Sequence, residues 1–436
     1  MKELRVGLLG FGVVGRGVVE LLLTQGALLS QRSGVGMRLV RIGTRTPGRD
    51  RGLDLGPVEV TADLDRVVAA DDIDVVIELI GGLEPARSLV LKALSQGKHV
   101  ITANKALIAT HGVEVVGHAA AVGRELLFEA AVAGAIPVIK VLREGLAANR
   151  IDQVYGILNG TCNYILTEMR EKGLPFDGVL RDAQAKGFAE ADPSFDVDGI
   201  DAAHKLAILA AIAFGSFPRF EQIHIEGIRH VSDVDIAWAN EMGYRIKLLG
   251  IAKQDAEGVE LRVQPTLVPV SSMVASVDGV YNAVFVRGDA AGTTMHYGRG
   301  AGERPTASAV VADLVDIARN GQLGVGQRVA AFSTLADHLT THPVREMAAW
   351  RGEYYLRLAV ADRPGVLAEV TAVLARQQIS IDAIHQKGRS DVAAVPLIMV
   401  THETTERQVR IALEELEQLD CVREPPRFIR IEPGFV

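Results

Sequence analysis

The chain has 436 residues, 48% of them hydrophobic, with a formal net charge of −8. That length and apolar content suffice for two or three buried cores, and an acidic balance gives no reason to expect nucleic acid as a partner. No apolar run approaches the roughly 18 residues that span a bilayer, and the only two cysteines, Cys162 and Cys421, lie far apart, so a soluble cytoplasmic protein with neither membrane partner nor disulfide framework is expected.

The opening MKELRVGLLGFGVVGRG carries charges ahead of a short apolar run, but glycines break the run and no small-residue cleavage site follows. It reads as a strand and turn, not a leader. LRVGLLG is a buried-strand pattern, and GFGVVGRGVVELLLTQ continues as a turn and an apolar-periodic helix. Gly10, Gly12 and Gly15 therefore form G-x-G-x-x-G between a strand and a helix, where the spacing suits a tight turn and close approach to a pyrophosphate. Gly10, Phe11, Gly12, Val13, Val14 and Gly15 are the predicted dinucleotide contacts, with the helix N-terminus facing the phosphates.

Strands and helices then alternate: RLVRIGTR, IDVVIELIGG, a helix through ARSLVLKALSQG, KHVITAN, a helix through VEVVGHAAAVG, and LLFEAAV. This order predicts an α/β fold with a Rossmann-type, doubly wound parallel sheet over residues 1–134. An acid closing the second strand would suit a free ribose 2′-hydroxyl. Thr44 and Arg45 stand there instead, with Arg49 nearby. An arginine suits a 2′-phosphate, which favours NADP over NAD, although an ordinary solvated loop charge is the alternative reading of Arg45.

From about residue 135 longer helices and a few strands predict a central α+β catalytic and dimerisation domain, 135–330. Within it, GFAEADPSFDVDGIDAAHKLAILA places Asp201 and Lys205 at i and i+4 on one helix face. An exposed pair there would contribute only a few tenths of a kcal/mol. The helix is apolar on nearly all sides, however, so a lysine in it needs a partner, and Glu190, Asp196, Asp198 and Asp201 offer several. A divalent metal would compete with the lysine for those carboxylates, which makes the cationic group of an amino-acid substrate the better guest. His204 reads as packed or solvated, and Cys162 as a small buried residue, neither as catalytic.

Taken with GFGVVG, ITANKALIA, FEAAVAGAIPVI, GILNGTCNYIL and GRGAGERPTASAV, this stretch resembles the homoserine dehydrogenase family over residues 1 to about 330. The resemblance implies NAD(P)-dependent interconversion of L-homoserine and L-aspartate 4-semialdehyde, in the biosynthesis of threonine, methionine and isoleucine. It assigns Lys205 as catalytic acid/base, Glu190 and Asp201 to substrate binding, and Lys105 to the junction of nicotinamide and substrate. Whether Lys105 donates to the developing oxyanion or contacts the cofactor stays open. It further places Gly187 and Gly302 along the cofactor. Glu129, Val132, Gly134 and Ile136 would hold a monovalent cation, sodium, unless FEAAVAGAIPVI is simply a strand and turn. GRGAGERPTASAV reads alternatively as a surface turn capping a helix that returns to the first domain. Phe195 inside DPSFDVDG departs from the family pattern and bears on the packing of that loop.

Residues 331–352 lose periodicity and read as a linker. Residues 353–432 then run strand, helix, strand, strand, helix, strand, a ferredoxin-like βαββαβ order. With DRPGVLAEV as the matching turn and helix, this segment resembles an ACT domain, a small ligand-binding or oligomerisation module. Joined to a threonine-pathway enzyme, it implies L-threonine as effector, with Asp362, Gly365 and Val366 as contacts, and truncation before Glu353 is expected to leave a folded enzyme that ignores threonine. A homo-oligomer built through the central domain is expected. Two other functions fit less of the pattern: a dehydrogenase of another small amino-acid semialdehyde, and a non-catalytic amino-acid sensor that keeps a cofactor fold.

Overall fold

The first apolar runs form six strands: β1 (Glu3–Leu9), β2 (Gly36–Gly43), β3 (Glu59–Thr61), β4 (Val75–Glu78), β5 (His99–Thr102) and β6 (Leu126–Leu127). In the computed structural model, which describes residues 3–335, 338–340, 342–387 and 394–435, they pair in parallel in the order β3-β2-β1-β4-β5-β6. Leu4, Val6, Leu8 and Leu9 of β1 are all fully buried, as expected of a parallel sheet covered on both faces. The order reverses between β1 and β4, and ligands of such sheets bind outside the strand ends at that point.

Helix Val13–Ser33 follows β1 directly. By length and mean hydropathy it is the one helix among the described residues that could cross a bilayer, more apolar than the sequence reading allowed. One face of it packs in the core of the first domain instead, with Val18, Val19, Leu21 and Leu22 buried in one cluster with Ala307, Val310 and Leu314. Those last residues belong to helix Glu303–Gln322, so the chain returns from the central domain to pack on this first helix. A Cβ on Gly17 would come within 2.9 Å of the Glu303 carbonyl, which is why the two helices can lie so close.

The chain therefore crosses between the first two domains twice, around Ala133–Ile136 and Arg299–Gly302, and the crossings touch. The Ala135 N–H donates to the Arg299 carbonyl at 3.1 Å. A Cβ on Gly134, whose φ is +53°, would stand 2.6 Å from the Gly300 carbonyl.

The second sheet contains β7 (Ile151–Ile157), β8 (His224–Ile225), β9 (Tyr244–Asp255), β10 (Gly258–Pro269), β11 (Tyr281–Gly288) and β12 (Gly292–Arg299). It continues through β13 (Arg351–Val360), β14 (Ile381–Gln386), β15 (Val395–Thr401), β16 (Thr404–Thr405) and β17 (Arg427–Ile431). The order is β12-β11-β7-β9-β10-β17-β13-β15-β14, with β8 beside β10 and β16 beside β13. Helix Ile200–Phe214 packs on β7, β9 and β10 and is buried from Asp201 to Ile212.

The C-terminal segment has its own apolar core, including Leu358, Val370, Met399 and Leu416. Yet it is not a module on a free tether. Strand β17 pairs in parallel with β10 through Thr266 with Arg430 and Leu267 with Ile431. The connecting segment is itself bridged to the central domain, Thr340 to Ser216 and Val344 to Val259. Truncation before Glu353 would therefore uncover a sheet edge and strip buried charges of their partners. This corrects the expectation of a cleanly separable module.

Candidate active site

A cleft of about 620 Å³ opens where the carboxyl ends of the first sheet face helix Ile200–Phe214. On the nucleotide side it begins at the glycine-rich turn. Gly10 has φ +98° and donates its N–H to the Gly43 carbonyl, and a Cβ on Gly15 would strike the Gly10 carbonyl at 2.2 Å. A Cβ on Gly12 would meet nothing within 4 Å. Two glycines thus close the turn on itself and the middle one opens toward the space a pyrophosphate needs, so the residues present fit a dinucleotide. Val14, Gly187 and Gly302 all line the cleft. Val13 is exposed beside them, whereas Phe11 is buried.

Arg45 is exposed and makes no ion pair or hydrogen bond among the described residues. Its neighbour Arg51, which the sequence reading passed over, is committed: it stacks on Phe11 at 4.4 Å and donates to the Phe11 carbonyl at 2.7 Å. Arg51 fixes the loop, and Arg45 is left free at its rim.

The other wall carries the charges. Lys205 is 8% exposed. Its Nζ donates to Asp201 Oδ2 at 2.7 Å and to the Leu158 carbonyl at 2.8 Å. An ammonium has three donors, so one is left for the cleft that Lys205 lines. Lys105, at the first position of helix Lys105–Ala121 and more than 90 residues away in sequence, reaches the other oxygen of the same carboxylate at 3.0 Å. Burial opposes ionisation of Asp201, but the charges of Lys205 and Lys105 outweigh it and hold the carboxyl below its usual range.

Asn159 completes the cluster. Its Oδ1 accepts the Cys162 N–H, capping helix Gly160–Lys172, and this turns Nδ2 toward Asp201 (2.8 Å) and Asp196 (2.7 Å). Nothing local to NGTC names the two carboxylates that Asn159 meets. Asp196, half-buried and beside Asp201, has its carboxyl raised by desolvation and by that neighbouring charge. Glu190 lines the cleft, yet its carboxylate pairs with none of the described cations. Phe195 lies 5.3 Å from Lys105 Nζ and stacks on His204, which also stacks on Phe220 at 4.4 Å. Burial lowers the His204 pKa to about 4, in keeping with a packed ring.

The segment read as a cation site is buried and polar. The Glu129 oxygens accept the N–H groups of Ile139 (3.0 Å) and Lys140 (2.9 Å), while its own N–H donates to Asp313. Burial, with the Asp313 charge second, pushes the Glu129 carboxyl up to about 8. Asp313 is pushed up to about 7, also by burial. Val132 and Ile136 are buried nearby, and Gly134 sits at the domain crossing.

Residues 137–315 match the family described as homoserine dehydrogenase, and residues 10–129 match its NAD-binding domain. A homoserine dehydrogenase from Pseudomonas aeruginosa is 49% identical over 433 residues, 99% of each chain. This chain belongs to the homoserine dehydrogenase family. One from Neisseria gonorrhoeae is 45% identical, again over 99% of both chains. The crystal structure of the homoserine dehydrogenase from Thiobacillus denitrificans superimposes with a TM-score of 0.93 at 50% identity, covering 99% of each chain. A hyperthermophilic archaeal homoserine dehydrogenase in complex with NADPH is similar over 74% of this chain and 98% of its own, with a TM-score of 0.62 and 26% identity. The C-terminal residues 354–421 match the ACT domain. The Thiobacillus denitrificans structure is thus similar to this chain across both sheets and the C-terminal module.

Proposed function

We propose that this chain catalyses the reversible, NAD(P)H-dependent reduction of L-aspartate 4-semialdehyde to L-homoserine, with Lys205 as the group that gives and takes the proton. The nicotinamide, when bound, supplies the hydride. As the aldehyde oxygen gains charge, a cation within hydrogen-bond reach stabilises it and delivers a proton. The observation that carries this role is the committed geometry of Lys205: two donors fixed on Asp201 and Leu158, one left over, in a buried site. Asp201, held ionised by two lysines, and Glu190 across the cleft would bind the substrate ammonium. Lys105, sharing Asp201 and partly exposed, stands where it can meet substrate or nicotinamide.

Gly10, Phe11, Gly12, Val13, Val14, Gly15, Gly187 and Gly302 would hold the dinucleotide, and the unpaired Arg45 favours NADP through its 2′-phosphate. NADPH in the archaeal relative supports the same choice. The carbonyls of Val132, Gly134 and Ile136 with Glu129 would take a sodium ion, a reading supported by the excess of buried acid beside them. A cytoplasmic homo-oligomer fits the biosynthetic role. L-Threonine is the effector this reading expects at the C-terminal module, where Gly365 (φ +93°) caps helix Val366–Arg376 and, with Asp362 and Val366, would receive a carboxylate at the helix N-terminus.

The direct test follows NADPH absorbance in the presence of aspartate semialdehyde and sodium. Consumption that depends on the semialdehyde is expected. Absence of turnover across salt conditions, or faster turnover with a different amino-acid semialdehyde, would overturn the assignment.

A further inference from the structure

The loop after β4, Leu79–Gly82, runs between the glycine-rich turn and the helix that bears Lys105, and one buried carboxylate ties these parts together. Glu78, the last residue of β4, is fully buried and has no cationic partner among the described residues. Its Oε1 accepts the backbone N–H groups of Ile80 (2.8 Å) and Gly81 (3.1 Å). Its Oε2 accepts the Thr102 hydroxyl at 2.6 Å, and Thr102 Oγ1 in turn accepts the Asn104 N–H at 2.9 Å.

Asn104 closes the circuit. Its Oδ1 caps helix Lys105–Ala121 by accepting the Leu107 N–H at 3.1 Å, and its Nδ2 donates back to the Gly82 carbonyl at 2.6 Å. At the other end of the loop the Leu79 N–H donates to the Leu9 carbonyl, and the Leu79 carbonyl lies so close to Gly10 that a Cβ there would approach it to 2.6 Å.

A buried carboxylate is costly unless its acceptor sites are filled, and here every filled site belongs to this loop or to the relay through Thr102. The relay ends at the residue before Lys105. Lys105 is a long, flexible side chain, and where its helix begins decides whether Nζ reaches Asp201. Misplacement of a reacting group by about 1 Å can cost on the order of 10²-fold in rate.

We infer that Glu78, Thr102 and Asn104 form a positioning relay that fixes the first turn of the Lys105 helix against the Leu79–Gly82 loop and so sets Lys105 in the cleft. The inference rests on the reading of Lys105 as an active-site group. Thr102→Val removes the hydroxyl and keeps the shape; Thr102→Ser restores the hydroxyl. Each is measured in the parent enzyme and in a Lys105→Ala background, because residues acting through one another give non-additive losses. Thr102→Val should lower kcat about tenfold in the parent enzyme and cause no further loss beside Lys105→Ala, while Thr102→Ser stays within twofold of the parent. Equal losses in both backgrounds, or a serine variant as poor as the valine one, overturn the relay. If Thr102→Val does not fold, Asn104→Ser carries the same comparison, since serine keeps the helix cap and drops the bond to Gly82. A fully active Lys105→Ala overturns the underlying assignment of Lys105 instead, and does so without any Thr102 variant.

Discussion

Two regions of this enzyme bury ion pairs, and they do so to opposite ends. At the junction of the central domain with the C-terminal module, Arg430 is 1% exposed and holds Glu406 at 2.5 Å and Glu226 at 2.8 Å. Arg357 and Tyr355 both bond Asp235, and Arg262 pairs with Glu260 and Glu432 beneath the Trp350 ring. In the cleft, Asp201 likewise serves two cations, but Lys205 keeps a donor in hand and the Glu190 carboxylate pairs with no cation among the described residues. Paired charges at the junction fix how two parts meet. Incomplete pairing in the cleft leaves room for a charged substrate.

The comparison breaks most visibly at Arg430. Arg430→Met leaves the fully buried Glu406 short of its main partner, and removing one member of such a pair costs about 3–5 kcal/mol. Denaturant unfolding should show a loss of that order, with kcat per folded molecule within twofold of the parent. A loss under about 1 kcal/mol would mean that the junction is held by its sheet pairing alone.

Lys205→Ala should do the reverse: kcat falls about 10²-fold or more, the scale of a positioned acid/base, while NADPH binding measured by fluorescence is unchanged. Asp201 keeps Lys105 and Asn159, so the stability loss should be smaller than at Arg430. A raised KM with parent-like kcat would move Lys205 from proton transfer to substrate binding.

Arg45→Asp sharpens the nucleotide side. The ratio of kcat/KM for NADPH to that for NADH should fall about tenfold or more, equivalent to about 1.4 kcal/mol. An unchanged ratio would show that Arg45 does not meet the 2′-phosphate.

The smallest effect concerns His99, whose Nδ1 accepts the Glu125 N–H and whose pKa burial lowers to about 4. Above the unfolded value of about 6.5 the ring is neutral in both states. As the pH falls from there toward 4 only the unfolded chain takes up the proton, so folding weakens. His99→Gln should flatten that arm of a profile of unfolding free energy against pH, by about 1 kcal/mol between pH 7 and about pH 5.7. A profile of unchanged slope would place the acid sensitivity elsewhere.

Legibility in the sequence followed distance along the chain. The glycine turn and the Asp201–Lys205 pair lie within single elements, where a period or a spacing of four suffices. Lys105 came only from the family resemblance, because nothing local to ITANKALIA says that Asp201 waits across the cleft. Asn159, Arg51 and the Glu78 relay were missed for the same reason: each acts on groups brought near by the fold. The pairing of β17 with β10 was hidden too, since a strand's partner leaves no mark in its own alternation.

The two touching crossings between the first two domains carry a mechanical consequence. Had they been far apart, they would have braced the nucleotide-binding domain like a table on two legs. Lying side by side at Gly134 and Gly300, they join the two domains along a single seam in the wall of the cleft. Bulk added at Gly134 would strike the Gly300 carbonyl and force that seam apart, disturbing the wall of the cleft and the fold's second crossing together.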